Sequence, residues 1–336
     1  MKKNVAIITI PLGNNYGAIL QNYALQTLIK KNGANPITID YVIPGLPVWK
    51  ILCSWLKSLF YKLRGKKRKF IRLRHEKREK IFFQFISKFI QITPCFRNLN
   101  EIFKYKDFSV CIVGSDQVWR PTYNYHIQDM FLDFCKKKTN LRRIAYAASF
   151  GVDNWEYTPK QTAICSSLAK KFDFISIREE SGVDFCKKYF NVDATWVLDP
   201  TLLLKKEDYN VICSEISVVE KKFLFAYVLD LNESIRSLCE SIATKRGLVL
   251  KICSAGAKST LTVPEWLAMI RDASYVVTDS FHGTAFSIIF EKEFKCIYNK
   301  NRGTARFETL MNLYNSGKID EMRIFSQNWL EKALDK

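Results

Sequence analysis

The stretch SYVVTDSFHGTAFSIIF, residues 274–290, joins a strand-like run to a helix-like run. Residues 274–278 are apolar and β-branched, as in a buried parallel strand. Residues 283–290 place apolar side chains at helical spacing. Residues 279–283 would then form a turn, with His282 at the carboxyl edge of a sheet, where open α/β folds bind their ligands. The alternative is a histidine that only satisfies backbone groups of a loop.

The same alternation of strand and helix extends outward along the chain. Helix ends are marked by Gly33, by Gly247 and by Thr262, which would cap a helix opened by Pro264. Strands separated by helix-length segments predict parallel sheets, and two such series predict an α/β fold of two Rossmann-like domains facing each other across a cleft. Strand-like runs lie at 5–10, 37–41, 109–113, 144–148, 174–177 and 195–198, and in the second series at 222–229, 248–253, 275–278 and 294–298.

The boundary between the two domains is predicted near residues 198–201, Leu-Asp-Pro-Thr. The N-terminal domain, residues 1–198, would contain a basic helical insertion at about 45–105. The C-terminal domain would cover residues 199–323. A last helix, residues 324–336, would pack back onto the first domain.

The composition is that of a globular chain of more than one core. The 336 residues are 48% hydrophobic and 14% aromatic. The ten cysteines are scattered singly, without a CxxC pair or a Cys/His cluster, which predicts a reduced cytoplasmic protein with no metal site. The N-terminus MKKNVAIITIPLGNN lacks the features of a signal peptide, and no run of eighteen apolar residues predicts a membrane-spanning helix.

The net charge of +19 is concentrated in residues 57–80, where twelve Lys or Arg stand against two Glu. One interpretation is a solvated helical face. Nucleic acid binding is not supported, because no stacking platform or known module accompanies the charge. A third interpretation is peripheral contact of residues 45–80 with an anionic membrane, since apolar residues between Trp49 and Phe60 could share one face of an amphipathic helix.

Two turns in the first series are rich in groups that bind hydroxyls. Asn14, Asn15 and Tyr16 follow the first strand, and their glycines lack the GxGxxG spacing of dinucleotide sites. Asp116, Gln117 and Trp119 follow the third strand and resemble a sugar site, with polar groups for hydroxyls and an aromatic face for the ring. The alternatives are an ordinary turn and a capped helix start, respectively.

Arginines at strand ends predict an anionic ligand. Arg178 follows the fifth strand, while Arg302 and Arg306 follow the last one, near the helix that begins after His282. An ion pair within the protein is the alternative for Arg178. A helix N-terminus and one titratable imidazole complete the predicted site. The pattern favours group transfer over hydrolysis, since neither a Ser/His/Asp order nor paired carboxylates are evident.

Seven motifs together, in order, resemble the polysaccharide pyruvyl transferases over about residues 5–315. They are GNNYGAILQNYALQ, VGSDQVW, RIAYAASFG, SIREESG, LDPTLLL, TDSFHGTAFS and RGTARFETLMNL. The resemblance implies a GT-B-like fold and transfer of pyruvate from phosphoenolpyruvate to a hexose of a surface polysaccharide or its lipid-linked precursor. The product would be a cyclic ketal. No cofactor is implied beyond the donor substrate.

The resemblance gives the predicted residues their roles. His282 would be the acid/base catalyst and Asp116 would orient or deprotonate the acceptor hydroxyl. The first domain would bind the acceptor and the second the donor. Some relatives have an arginine where this chain has Ser280, so the donor contact passes to Arg302 or Arg306. Donor contacts are predicted at Arg178, Ser280, Gly283, Thr284, Arg302 and Arg306, and acceptor contacts at Asn14, Asn15, Tyr16, Gln117 and Trp119.

Two other functions remain open at this point. A glycosyltransferase that uses a nucleotide-sugar donor would suit the same fold and cleft. A non-catalytic glycan-binding relative would explain why Ser280 stands in place of the arginine.

Overall fold

Apolar, β-branched runs form two parallel sheets. The structure is a computed structural model that describes residues 2–13, 15–42, 80–124, 126–218, 222–254, 260–298 and 304–335. The first sheet has the order β2–β1–β3–β4–β5–β6, and the second has the order β10–β9–β7–β8. The strands are β1 Asn4–Ile8, β2 Asn35–Thr38, β3 Val110–Val113, β4 Arg142–Ala148, β5 Phe174–Ile177, β6 Thr195–Trp196, β7 Phe223–Val228, β8 Val249–Ser254, β9 Tyr275–Thr278 and β10 Phe294–Cys296.

Helices connect the strands, as parallel pairing requires. Gly33 and Gly247 adopt left-handed φ at the ends of two of them, and Thr262 forms a capping box with Glu265 at the start of a third. The described helices are α1 Tyr16–Lys31, α2 Lys80–Phe89, α3 Ile102–Tyr105, α4 Pro159–Ala169, α5 Glu180–Phe185, α6 Lys206–Cys213, α7 Glu233–Arg246, α8 Val263–Asp272, α9 Phe281–Ile289, α10 Ala305–Asn315 and α11 Ile319–Asp335.

The central strands are buried on both faces, which explains their continuous apolar sequences. Every residue of β3 and β7 is buried. The predicted fold class is confirmed: the chain is α/β, with two Rossmann-like parallel-sheet units in a GT-B-like arrangement.

Aromatic packing joins the two units. The ring of Tyr16, at the start of α1, stacks on Trp266 of α8 with 5.0 Å between ring centroids. The hydroxyl of Tyr16 donates a hydrogen bond to the carbonyl oxygen of Leu261 at 2.6 Å. The start of α1 therefore lies against the second unit, close to the start of α9.

The last helix, α11, returns to the first unit and begins at Ile319, five residues before the predicted start. Its Ser326 hydroxyl accepts a hydrogen bond from the Leu198 amide at 3.0 Å. Its Trp329 ring lies 5.9 Å from the Tyr146 ring of β4. The chain thus crosses from the first unit to the second after β6 and crosses back before α11.

Most of the predicted basic insertion, residues 43–79, lies outside the described residues, so membrane contact through 45–80 stays a prediction. The described remainder contains α2, α3 and two isolated bridges, in which Ile92 pairs with Thr38 and Phe96 with Tyr41. None of the described helices is long and apolar enough to cross a membrane.

Candidate functional site

His282 lies in the first turn of α9, not in the preceding turn as predicted. The helix begins early because Ser280 has an extended backbone and its hydroxyl accepts a hydrogen bond from the Gly283 amide at 3.3 Å. Strand β9 ends at Thr278, so only two residues separate strand and helix. This short connection places the imidazole at the carboxyl edge of the second sheet.

The imidazole of His282 is enclosed between the two units and is only 7% exposed. A methyl group at Gly17 of α1 would come within 2.0 Å of His282 Nδ1, so the glycine is what makes room for the ring. On the other side, His282 Nε2 lies 3.7 Å from Asp199 Oδ2, and this nitrogen makes no hydrogen bond to any other described residue.

Asp199 is the centre of a buried hydrogen-bond network just after β6. Its Oδ2 accepts from the Ser115 hydroxyl at 2.7 Å and from Arg178 Nη1 at 2.8 Å. Its Oδ1 accepts from the amide and hydroxyl of Thr201. Burial alone would raise the pKa of the Asp199 carboxyl, but His282, Arg178 and the Thr201 amide together bring that pKa well below its usual range.

Arg178 is fully buried and surrounded by carboxylates. Besides Asp199, its guanidinium lies 3.5 Å from Asp116 Oδ1 and 3.9 Å from Glu179 Oε2. Its carbon Cζ lies 4.7 Å from the centre of the Phe281 ring, on the second unit. Burial alone would lower the pKa of Arg178, but the charges of Asp199, Asp116 and Glu179 raise it. The ion pair that the sequence left as an alternative is therefore present, and the side chain has no exposed surface for a donor.

Asp116 follows β3 and has a φ of 80°, in the left-handed region that few residues other than glycine adopt. This conformation allows Oδ1 to accept from the Gln117 amide at 2.8 Å while it faces Arg178. Backbone strain of this kind is concentrated at functional sites. Asp116 is 7% exposed, beside the same network as Asp199.

Arg306, at the start of α10, is the second guanidinium of this cluster. Burial lowers its pKa to about 10; the charge of Arg178 adds to this effect, and the charges of Glu179 and Asp116 oppose it. The predicted Arg302 lies outside the described residues.

The described cluster contains more acids than guanidiniums. The carboxylates of Asp116, Glu179 and Asp199 stand against Arg178 and Arg306, which leaves one negative charge in excess while His282 is neutral. The sequence predicted arginines gathered to bind an anion, whereas the structure uses Arg178 to neutralise acids.

Three predicted donor contacts, Ser280, Gly283 and Thr284, instead make contacts within the protein at the start of α9. Ser280 caps the helix, and the absence of a side chain at Gly283 makes room for Thr278, whose Oγ1 would lie 2.2 Å from a methyl group there. The hydroxyl of Thr284 donates to the Ser280 carbonyl at 3.2 Å and is buried. Each residue thus has a structural role at the start of the helix.

The predicted acceptor contacts are not gathered at one surface. Trp119 is fully buried: its ring stacks on Phe131 at 4.6 Å and its indole N–H donates to the Met130 carbonyl. It therefore has no open face for a sugar, and that prediction is wrong. Tyr16 is likewise wrong as an open contact, because it is 1% exposed and packs between the units.

The remaining acceptor predictions differ in exposure. Asn15 is exposed and caps α1 through its side-chain oxygen, which accepts from the amides of Gly17 and Ala18. Gln117 is half-buried and accepts a hydrogen bond from Arg120 at 3.1 Å. Asn14 lies outside the described residues.

Sequence reasoning missed Asp199 and Glu179 as members of the cluster. Asp199 was interpreted only as a domain boundary, although an acid directly after a strand was the available signal. Glu179 Oε1 accepts from the amides of Phe150 and Gly151, a role that no local pattern reveals. The described residues contain no group of three or more side chains suited to a metal ion.

Comparison with solved structures finds similar folds at low sequence identity. UDP-GlcNAc 2-epimerase from Methanocaldococcus jannaschii, in complex with UDP-GlcNAc and UDP, is 12% identical, with a TM-score of 0.47 over 92% of this chain and 86% of that one. UGT89C1 of Arabidopsis thaliana, complexed with UDP-L-rhamnose, is 8% identical, with a TM-score of 0.49 over 93% and 83%. No curated protein matches the chain.

A family model supplies the assignment. The model described as "Polysaccharide pyruvyl transferase" matches residues 15–301, which include His282, Asp199, Arg178 and Asp116. The resemblance carried by the seven motifs is thereby confirmed. The chain belongs to the polysaccharide pyruvyl transferase family.

Proposed function

We propose that the protein transfers a pyruvyl group from phosphoenolpyruvate to two hydroxyls of a hexose in a surface polysaccharide or its lipid-linked precursor. The product is a cyclic ketal, and phosphate is released. Family membership supports the reaction class. The observation that carries the site is the buried Nε2 of His282, which faces the ionised Asp199 at the junction of the two units.

The reaction moves two protons and breaks one carbon–oxygen bond. A proton adds to the methylene carbon of the donor, and the first sugar hydroxyl bonds to the adjacent carbon and loses its proton. The bond to the phosphate oxygen then breaks, and the second hydroxyl closes the ring. Of the two hydroxyl protons, one balances the new methyl group and the other leaves with phosphate.

His282 is the proposed acid that protonates the methylene carbon, because an imidazole exchanges protons near neutral pH. Asp199 is a positioning residue, since an ionised carboxylate beside the ring orients it and offsets the positive charge it carries when protonated. Asp116, on the first unit, is the proposed partner of the acceptor hydroxyl, since its carboxylate lies beside the same network.

The donor carries a carboxylate and a phosphate and needs cationic partners, although the described cluster as a whole has an excess of negative charge. Arg306 is the described candidate: burial and the charge of Arg178 lower its pKa, and a bound anion would favour its charged form. Arg302 stays our predicted second contact. We expect Arg302→Gln and Arg306→Gln each to raise the KM for phosphoenolpyruvate, roughly tenfold or more.

The test is incubation of the full chain with phosphoenolpyruvate and a panel of galactosides, glucosides and mannosides. We expect phosphate release that depends on the acceptor and a glycan that gains the mass of pyruvic acid less water. Turnover of a nucleotide sugar, with no product from phosphoenolpyruvate, would overturn the proposal.

A variant of the catalytic residue separates chemistry from binding. His282→Asn keeps a polar side chain of similar reach, and we expect its kcat to fall roughly 100- to 10,000-fold with little change in donor binding. The control is Lys245→Gln, on the exposed face of α7, which should retain full activity. Full activity of His282→Asn would remove His282 from the mechanism.

A further inference from the structure

A concave site lies on the first unit, away from His282. It is a cavity of about 720 Å³ beyond the end of β2, bounded by residues that follow β2, by the region of α3 and by residues 126–138. This volume is in the range of small-molecule sites. None of the predicted site residues that the structure describes lines it.

The lining of this cavity is cationic. Arg97, Lys104 and the three consecutive lysines 136–138 stand against the carboxylates of Asp129 and Asp133, a surplus of three positive charges while His126 is neutral. We call this cavity the cationic pocket.

Several of these cations have no carboxylate partner in the part of the chain that the structure describes. Lys136 pairs with Asp133 at 3.3 Å, and the ammonium of Lys138 lies 4.8 Å from the centre of the Phe103 ring. Arg97, Lys104 and Lys137 have no carboxylate within 4.0 Å among the described residues, and all three are exposed. The pocket therefore offers like charges gathered in a concave site, which an anion would stabilise.

Uncharged groups suited to sugars line the same pocket. Asn98 and Asn100 are exposed. The Asn98 side-chain oxygen accepts from the Asn100 side-chain nitrogen, so the Asn98 nitrogen and the Asn100 oxygen are the groups that can bind hydroxyls, while Phe103 gives part of an apolar wall. A simple anion would need only the cations, so this mixture favours an anion that is part of a glycan.

The cationic pocket and the Asp199 network both lie at the carboxyl edge of the first sheet. Tyr41, which lines the pocket, donates a hydrogen bond to the Thr9 carbonyl at 3.2 Å. The Thr9 hydroxyl in turn donates a hydrogen bond to the Ser115 carbonyl at 3.2 Å. The Ser115 hydroxyl donates to Asp199. Strands β2, β1 and β3 are neighbours, so the end of β2, which Tyr41 follows, lies about 10 Å from the end of β3, which Asp116 follows.

We propose that the cationic pocket binds a phosphate or carboxylate group carried by the acceptor glycan, while the reacting hydroxyls of that glycan lie at Asp116 and His282. The role as acceptor subsite rests on the proposed function, whereas the binding of an anionic glycan by the pocket does not. The protein would thus select negatively charged acceptors, and a short oligosaccharide would span the distance.

The first experiment measures binding without turnover, by calorimetric titration of glucose, glucose 1-phosphate and glucuronate into the full chain at fixed ionic strength. We expect saturable binding of one or both anionic probes and none of glucose. The probe that binds more tightly identifies phosphate or carboxylate as the natural group. Equal binding of glucose, or no saturable binding of either anion, would overturn the proposal.

The large net charge of the chain makes a charge-matched control necessary. The variant Lys104→Gln/Lys137→Gln removes two exposed charges from the pocket, and Lys245→Gln/Lys318→Gln removes two exposed charges elsewhere. We expect the pocket variant to bind the anionic probe roughly tenfold more weakly and the control variant to bind it as the parent does. Equal weakening in both variants would mean general attraction of anions and would overturn the proposal.

The second experiment separates this inference from the proposed function. With phosphoenolpyruvate as donor, the pocket variant should raise the KM for a phosphorylated or uronate-bearing acceptor roughly tenfold. Its KM for a neutral acceptor and for the donor should not change. If no acceptor turns over but the binding results hold, the proposed function fails and the pocket stands. If turnover is normal and the variant changes no KM, the pocket fails and the function stands.

Discussion

At the scale of single residues, the position of His282 depends on the missing side chain at Gly17. Gly17→Ala would place a methyl group within 2.0 Å of Nδ1, so the imidazole must move. Because a displacement of about 1 Å can cost roughly 100-fold in rate, we expect kcat to fall by about that factor. The free energy of unfolding should fall by about 1–3 kcal/mol, because a buried ring is displaced and the better helix propensity of alanine offsets this only in part.

The measurement is steady-state pyruvyl transfer beside thermal unfolding. Gly114→Ala is the matched control, because its methyl group would meet its nearest neighbours at 3.5 Å, an ordinary contact. A fully active Gly17→Ala protein would contradict the assigned position of the imidazole.

A second prediction concerns Asp199, whose pKa is held low in the folded protein. Such a carboxylate contributes stability at pH values above its unfolded pKa of about 4 and loses it as the pH falls below that value. Asp199→Asn should therefore lower the free energy of unfolding by about 2–3 kcal/mol at pH 7, because Arg178 loses a charged partner. The difference from the parent should shrink by about 1 kcal/mol between pH 5 and pH 3.

Urea unfolding at the two pH values measures this difference. Asp193→Asn is the control, since Asp193 is exposed and its pair with Lys187 is on the surface. A difference that stays constant with pH would show that the charge of Asp199 does not contribute.

The residue scale is also where prediction from sequence was weakest. The positions of His282 and Asp116 were predictable because each follows a strand that the local pattern reveals. Trp119 was misassigned because its neighbours Phe131 and Met130 come from another segment, so nothing local showed its burial. Arg178 was placed correctly at a strand end, but its three carboxylate partners depend on contacts up to 62 residues away in sequence.

At the scale of elements, Ser280 is first of all the N-cap of α9. Ser280→Ala should lower the free energy of unfolding by about 1 kcal/mol, while Ser280→Asp should preserve it. If capping is its only role, the KM for phosphoenolpyruvate stays unchanged in the alanine variant. Thr262→Ala, which removes the cap of α8, is a control with a similar stability loss and no expected kinetic effect.

Chemical denaturation and donor kinetics give the two readouts. A rise in the donor KM for Ser280→Ala, absent in Thr262→Ala, would instead support the predicted contact between Ser280 and the donor.

Strands and helices were predictable because their signals are local. Strands β5 and β9 have the predicted bounds, since each is a short apolar run between polar residues. Helix starts were less predictable: α9 begins at Phe281 because Ser280 caps it, and α11 begins at Ile319, where acids in the first turn favour the N-terminus. Because Ser280 caps α9, the helix begins two residues earlier than predicted, and His282 lies in the helix rather than in the turn.

At the scale of the whole molecule, Tyr16 joins the two units by its stack on Trp266 and its hydrogen bond to Leu261. Packing of this kind makes two units unfold together. Tyr16→Ala should lower stability by about 3–5 kcal/mol and separate unfolding into two transitions.

Calorimetry measures the number of transitions. Phe190→Ala is the control, because Phe190 is equally buried within the first unit alone and its loss should destabilise without uncoupling. A single transition in Tyr16→Ala, merely at lower temperature, would show that other contacts couple the units.

The return of α11 to the first unit also constrains motion. Two segments of the chain connect the units covalently, one after β6 and one before α11. Rotation of the units about the line through these two connections would lengthen neither segment, whereas sliding of one unit along the other would stretch both. We therefore expect the units to separate for substrate entry and product release by rotation about that line.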